Sequence, residues 1–255
     1  MRVLDLNADL GEGFGCWRIG DDAAMLDIVS TANIACGAHA GDPQIMRATI
    51  EAAKARGVAV GAHPGYADLI GFGRRPMPGM TASELEALVA YQIGAFLALA
   101  ALAGQPATHV KTHGALGNAC AADDNLADAV ARAIRAVDAD LAFMVMPGMA
   151  TARAAERAGL RPINEIYADR TYAPDFNLTP RDRPDAMICD AEVALMRIVE
   201  AVETGRLTAT DGSKMLVEID SVCVHGDSRD ALAMATRLRR GLEAEGYKIG
   251  SCLSG

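Results

Sequence analysis

Positive charge is scarce in this 255-residue chain: 24 Lys and Arg stand against 33 Asp and Glu, a net charge of -9. Such a balance repels a phosphate backbone, and no Lys/Arg stripe interleaved with aromatics overrides it, so nucleic acid is not an expected partner. The six cysteines, Cys16, Cys36, Cys120, Cys189, Cys223 and Cys252, include no CxxC pair. A zinc ribbon or dithiol redox motif therefore lacks support, and reduced thiols are expected, most of them in the core. There is no HExxH and no GxxxxGK[ST], and Gly11, Gly13 and Gly15 fail to make GxGxxG because Cys16 occupies the last position. A nucleotide site has little support from this chain alone. The first apolar run begins at Val3-Leu4 with no basic segment, long apolar segment and small-residue cleavage site before it, which points to the cytoplasm. The most apolar stretch, Ile93 to Ala103, is shorter than the roughly 20 residues a bilayer needs, so a buried helix and no membrane association are expected.

What is present is the material of a packed protein, 51% hydrophobic and 22% charged. Short apolar runs alternate with segments of helical period. Strands are expected at Val3-Leu6, Val58-Val60, Thr108-Lys111, Ala142-Val145, Pro162-Ile166 and Asp220-Val224. Helices are expected after Asp42-Pro43, from the capping box Thr81-Ala82-Ser83-Glu84 to Gly104, over Asn125-Ala136 and Met149-Ala158, from Asp190 to Glu203, and from Asp230 to Glu245. No change of composition or Pro/Ser-rich linker divides the chain, so residues 1–255 read as one domain. The pattern favours an α/β fold, a (β/α) barrel of irregular, seven-stranded form, over its rival, an open doubly wound sheet. Tyr167 to Asp185 is too polar and proline-rich for a core element, and reads as a lid or binding loop, with a solvated excursion as the plain alternative.

Ligands of parallel α/β folds bind beyond the C-terminal ends of the strands. His39 follows Ile34-Ala35-Cys36-Gly37, His63 follows Val58-Ala59-Val60-Gly61, His113 follows Val110-Lys111-Thr112, and His225 follows Val222-Cys223-Val224. A lone histidine is more often a hydrogen-bonded structural ring than a catalyst; four at equivalent places argue for chemistry, His225 being the weakest member. His109 begins a strand and is expected on the opposite rim in a structural role. In the first strand, alternation turns Asp5, Asn7 and Asp9 the same way, with Asp9 nearest the mouth and Glu12 on the same rim. Asp9 with His63 and His113 could bind a divalent ion that activates water, or Asp9 with His39, His63 and His113 could work as acid and base without one. Lys111 shares the side of His113 and could meet an oxyanion. Asn7 and Glu12 are candidates for substrate contact. Arg74 and Arg75 close a glycine-rich loop, Gly61 to Gly73, and could clamp carboxylate or phosphate, solvation of both being the plain alternative.

The segments DLNADLGEGFG (5–15), ANIACGAHAGDP (32–43), GAHPGYADLIGFGRR (61–75), VKTHGALGN (110–118), YADRTY (167–172) and CVHGD (223–227) together resemble the LamB/YcsF family, which contains the A subunits of ATP-dependent 5-oxoprolinase. The resemblance implies a barrel related to the polysaccharide deacetylase and glycoside hydrolase superfamily. It also implies cleavage of 5-oxo-L-proline to L-glutamate, with ATP as co-substrate of a complex formed with subunits B and C. Three positions depart from the family pattern: Ala38 replaces a usual Phe, Thr112 a Pro, and Gly117 a Tyr. The losses imply a wider pocket that accepts another lactam or amide, or neighbours that fill the space. Two other readings remain open, a metal-dependent deacetylase or amidohydrolase acting alone and a non-catalytic partner subunit.

Overall fold

A computed structural model describes residues 2–225 and 230–253. The chain runs β1 (Val3–Leu10), α1 (Asp22–Leu26), β2 (Thr31–Ala35), α2 (Pro43–Ala55), β3 (Ala59–His63), α3 (Ala82–Ala103) and β4 (Ala107–Lys111). It continues through α4 (Gly114–Ala122), α5 (Asp124–Val137), β5 (Ala142–Val145), α6 (Ala150–Arg157), β6 (Pro162–Tyr167) and α7 (Ala191–Thr204). The hairpin β7 (Arg206–Thr208) and β8 (Lys214–Leu216) precedes β9 (Ser221–Cys223), α8 (Ala231–Ala244) and β10 (Lys248–Ile249).

Seven parallel strands, in the order β1-β2-β3-β4-β5-β6-β9, close into a barrel because β9 pairs with both β6 and β1. β10 adds to the start of β1 outside this ring, and β7-β8 forms a separate antiparallel ribbon. The helix signals in the sequence act as expected: Asp42 accepts from the amides of Gln44 and Ile45 with Pro43 in the first turn, Thr81 and Glu84 form a reciprocal capping box, and Gly104 ends α3 in the left-handed region. α4 had no such signal, since His113 gives it no side-chain cap and Gly114 and Gly117 lower its intrinsic helicity. α3 is longer than the apolar run at its end, with 22 residues and a mean hydropathy of 1.8, enough by length and composition to cross a membrane. In this structure it packs along α2 and α5, burying Leu85, Val89, Ile93 and Phe96.

Alternation along β1 separates two environments. Leu4, Leu6, Ala8 and Leu10 join the hydrophobic core, whereas Asp5, Asn7 and Asp9 belong to the buried polar set. The inside of this barrel is unusually polar. Asp5 is bonded by Ser30, Thr31 and Ser221; beyond it Asn7, Asn33 and His109 form a chain; nearest the mouth stand Asp9, His63 and Lys111. His109 is thus inside the barrel and not on the opposite rim. Its Nε2–H donates to Asn33 Oδ1 at 2.7 Å, and burial pushes its pKa down to about 3, so the ring stays neutral. Gly61 makes room for it, because a Cβ there would collide with the imidazole.

Candidate active site

At the C-terminal mouth a cavity of about 790 Å³ opens over the strand ends. On one side of its floor lies Lys111, the last residue of β4 and only 2% exposed. Its ammonium donates to Asp9 Oδ1 at 2.8 Å and to Cys223 Sγ at 3.1 Å, and lies 2.9 Å from Glu165 Oε1. Burial alone would discharge this lysine, but Asp9, Cys223 and Glu165 outweigh it and raise the pKa well above the ordinary lysine value. Asp9 responds in the opposite sense. Burial pushes its carboxyl up, yet His63 and Lys111 outweigh that and hold it well below the carboxylate range. A fixed ammonium between two carboxylates can orient substrate and meet negative charge, but is not a proton donor near neutral pH.

On the other side are His63, ending β3, His113, preceding α4, and His39, in the turn after β2. His63 Nδ1 lies 2.8 Å from the carbonyl of Lys111, and His113 Nε2 lies 2.8 Å from the carbonyl of Phe72. A carbonyl only accepts, so both of those nitrogens carry protons. The remaining nitrogens, His63 Nε2 and His113 Nδ1, face each other at 3.1 Å. Glu12 Oε1 stands 3.5 Å from His113 Nδ1, and Asp9 Oδ2 stands 3.2 Å from His63 Nε2. The His39 ring stacks on His113 with centroids 3.7 Å apart, and neither of its nitrogens has a hydrogen-bond partner among the described residues. Burial first, then neighbouring imidazoles, lowers the pKa of His39 and His113 well below the usual histidine value.

His225 has a partner that sequence spacing does not reveal. Its Nδ1–H donates to Asp169 at 2.8 and 2.9 Å, while its ring lies beside Tyr167 and lines the cavity. Burial raises the Asp169 pKa, but His225 outweighs it and the carboxyl stays below its ordinary value. This is the geometry by which a carboxylate fixes the orientation and tautomer of an imidazole. Asp169 and Arg170 come from the polar segment 167–185, which is no solvated excursion: Asp169, Arg170, Tyr172 and Thr179 are buried, and Arg170, Leu178 and Arg181 line the cavity. Glu165 was also missed, since a lone Glu at the end of a β-run carries no motif signal.

The structure brings Asp9, Glu12, His63, Lys111, His113 and Arg74 to the cavity wall, with His39 stacked behind His113. It does not bring Asn7 or Arg75. Asn7 is fully buried below the floor, donating to Ser221 Oγ and accepting from Asn33, so its polar atoms serve the barrel interior. Arg75 pairs with Asp68, with Nε 3.0 Å from Oδ2, and leaves the clamp reading to Arg74. The glycines of 61–75 serve packing more than ligand approach. A Cβ on Gly73, whose φ is +61°, would lie 2.8 Å from His39 Cβ and 2.9 Å from His113 Cδ2, and one on Gly65 would lie 2.7 Å from His39 Nδ1. Thr112 and Gly117 do line the cavity. Gly226 and Asp227 of the CVHGD segment lie outside the described residues. All described cysteines are free, with Cys36, Cys120 and Cys223 buried and Cys16 and Cys189 exposed.

Comparison with known proteins finds relatives over nearly the whole chain. The A subunit of 5-oxoprolinase from Rhodopseudomonas palustris strain BisB5 is 53% identical over 246 residues, 96% of this chain and 97% of that protein. A lactam utilization protein from Thermus thermophilus superposes with a TM-score of 0.91 at 41% identity, covering 98% of this chain and 100% of that one. A family 4 carbohydrate esterase from Streptomyces lividans, solved with acetate, shares the barrel fold at 13% identity and a TM-score of 0.50, over 98% of this chain and 92% of its own. With the LamB/YcsF family model matched over residues 4–254, the chain belongs to the LamB/YcsF family.

Proposed function

We propose that this chain is the A subunit of an ATP-dependent 5-oxoprolinase and opens the activated lactam ring in the mouth of its barrel, together with subunits B and C. The names of its relatives support the assignment, and one structural observation carries the chemistry: a charged Lys111, set between Asp9 and Glu165, shares a cavity floor with a His225–Asp169 dyad. A five-membered lactam is a stable amide with a poor leaving group. Transfer of the ATP γ-phosphoryl group to the lactam oxygen, with loss of ADP, makes the ring carbon electrophilic. Water then adds to that carbon, and cleavage of the C–N bond needs a proton on the departing ring nitrogen. His225, held by Asp169, delivers that proton. The resulting γ-glutamyl phosphate gives L-glutamate and inorganic phosphate with a second water.

In this scheme Asp9 orients the water, Lys111 balances the negative charge on the new hydroxyl oxygen as it releases its proton to solvent and the C–N bond breaks, and Arg74 with Arg170 holds carboxylate or phosphoryl oxygens. The metal-dependent amidohydrolase reading retains one supporting observation, the convergence of His39, His63 and His113 with Glu12. The two readings separate in one assay. The chain mixed with subunits B and C should release L-glutamate only when both 5-oxoproline and ATP are present, and His225→Gln should abolish release while the complex still assembles. ATP-independent release of acetate from acylated sugars by the isolated chain, without 5-oxoproline turnover in the complex, would replace the lactam reading by the amidohydrolase one.

A further inference from the structure

We propose that Glu12, His63 and His113, with His39 as the fourth donor, form a binding site for one divalent ion of the zinc class. The backbone carbonyls of Lys111 and Phe72 accept from the outer N–H of His63 and of His113, which aims the second ring nitrogen of each, His63 Nε2 and His113 Nδ1, at the same point. Those two nitrogens lie 3.1 Å apart, with a carboxylate oxygen of Asp9 3.2 Å from His63 Nε2 and one of Glu12 3.5 Å from His113 Nδ1. Ring nitrogens and carboxylate oxygens thus converge on one point, an arrangement that a cation can bridge.

The spacing fits a metal ion. Zinc-nitrogen and zinc-carboxylate bonds near 2.0–2.1 Å place the donors of a tetrahedron about 3.3 Å apart. The separations of 3.1 Å between the two imidazoles and 3.5 Å from His113 to Glu12 bracket that value, with His39 Nε2 at 3.9 Å from Glu12. One donor atom from each of the four residues lies within 4.8 Å of every other. The outer contacts are those of metal-bound histidines, whose second nitrogen normally donates to a carbonyl or carboxylate. Borderline nitrogen donors with one carboxylate favour zinc and its first-row neighbours over magnesium or calcium. The donor set expected from sequence, Asp9 with His63 and His113, changes in one member: Glu12 takes the place of Asp9, whose Oδ1 is held by Lys111. Such an ion would act as a Lewis acid towards water or a carbonyl oxygen. The site stands whether the substrate is a lactam or another amide.

The test uses the full chain, stripped with a chelator and titrated with zinc chloride by calorimetry, with cobalt(II) as a spectroscopic probe. We expect about one ion per chain, a cobalt absorption of four-coordinate intensity, and a higher melting temperature with the ion bound. His113→Gln should weaken zinc binding by more than about 100-fold, beyond the 10–100-fold cost of losing an outer hydrogen-bond partner. His225→Gln, in the dyad across the floor, should bind zinc as the parent chain does. The proposal is overturned if the parent chain takes up no zinc or cobalt at micromolar concentration and its melting is unchanged. It is overturned equally if His225→Gln loses the ion while His113→Gln keeps it. Nitrogen NMR at neutral pH with zinc present gives a further reading: a proton bridging His63 Nε2 and His113 Nδ1 would also refute the metal site.

Discussion

The two sides of the cavity floor solve the burial of polar groups in opposite ways. Around Lys111, carboxylates have fixed donors: Asp9 and Glu165 face one ammonium, and Asp169 accepts from the His225 ring. Around His63 and His113, two ring nitrogens and a Glu12 carboxylate oxygen converge on one point. Burial has the same sign of effect on both sides, disfavouring charge, yet it leaves Lys111 ionised and His113 neutral because only the lysine has carboxylates close enough to win. A matched side holds its charges still and suits orientation of substrate. An acceptor-rich side suits a cation.

The comparison is broken most severely by removing the ammonium. Lys111→Met leaves two buried carboxylates without their cation, which should cost about 3–5 kcal/mol of stability and at least about 10²-fold in turnover. Denaturant titration and glutamate release measure the two losses. Adding Glu165→Gln to Lys111→Met should recover stability but not turnover; a double variant no more stable than the single would show that the charges were not matched as described.

Asp5 sharpens the comparison, because it shares a strand and a face with Asp9 but has only hydroxyl donors. Burial raises its pKa from 3.8 to about 6, partly offset by Ser221, Thr31 and Ser30. Between about pH 4 and pH 6 the folded protein keeps a proton that the unfolded chain has released, so this carboxyl lowers stability as pH rises through that window. The penalty above that window is at most about 3 kcal/mol. Asp5→Asn should therefore gain stability over the parent between pH 4 and pH 7, read from paired denaturant curves. A difference independent of pH would show that Asp5 is not raised.

Asp169→Asn tests the dyad on the matched side. The imidazole loses the carboxylate that fixes its tautomer and orientation, so turnover should fall about 10²-fold, with zinc affinity unchanged. Equal loss of zinc binding would merge the two sides into one site.

The sequence made the barrel legible because short apolar runs alternate with segments of helical period and its helices begin at Asp42, Thr81 and Asp190, residues whose side chains cap them. The rim histidines were legible by their place after strands. What stayed hidden depends on long-range geometry. Nothing local distinguishes Glu165 from a surface glutamate until Lys111 is known to lie 2.9 Å away, or Asp169 from a loop residue until His225 meets it. Asn7 looked like a substrate contact by parity, but parity gives the face of a strand and not its depth. Arg75 looked equivalent to Arg74 until Asp68 was found to hold it.

The smallest effect is expected at the cavity wall. Gly117 on α4 lines the cavity beside Thr112, and a Cβ there would lie 2.9 Å from the Thr112 carbonyl oxygen. The resemblance to the family implies a tyrosine at this position, so Gly117→Tyr should restore a bulky wall after a small shift of α4, without touching either half of the floor. A narrower cavity should discriminate by size. If the lactam binds against this wall, the preference for a five-membered over a six-membered carboxylactam should rise by about tenfold, the scale on which one methylene is sensed in an apolar pocket. The readout is the ratio of kcat/KM for the two rings in the assembled complex, with zinc affinity as the control for the acceptor-rich side. A ratio unchanged from the parent would place the ring away from α4, nearer the Lys111 side alone.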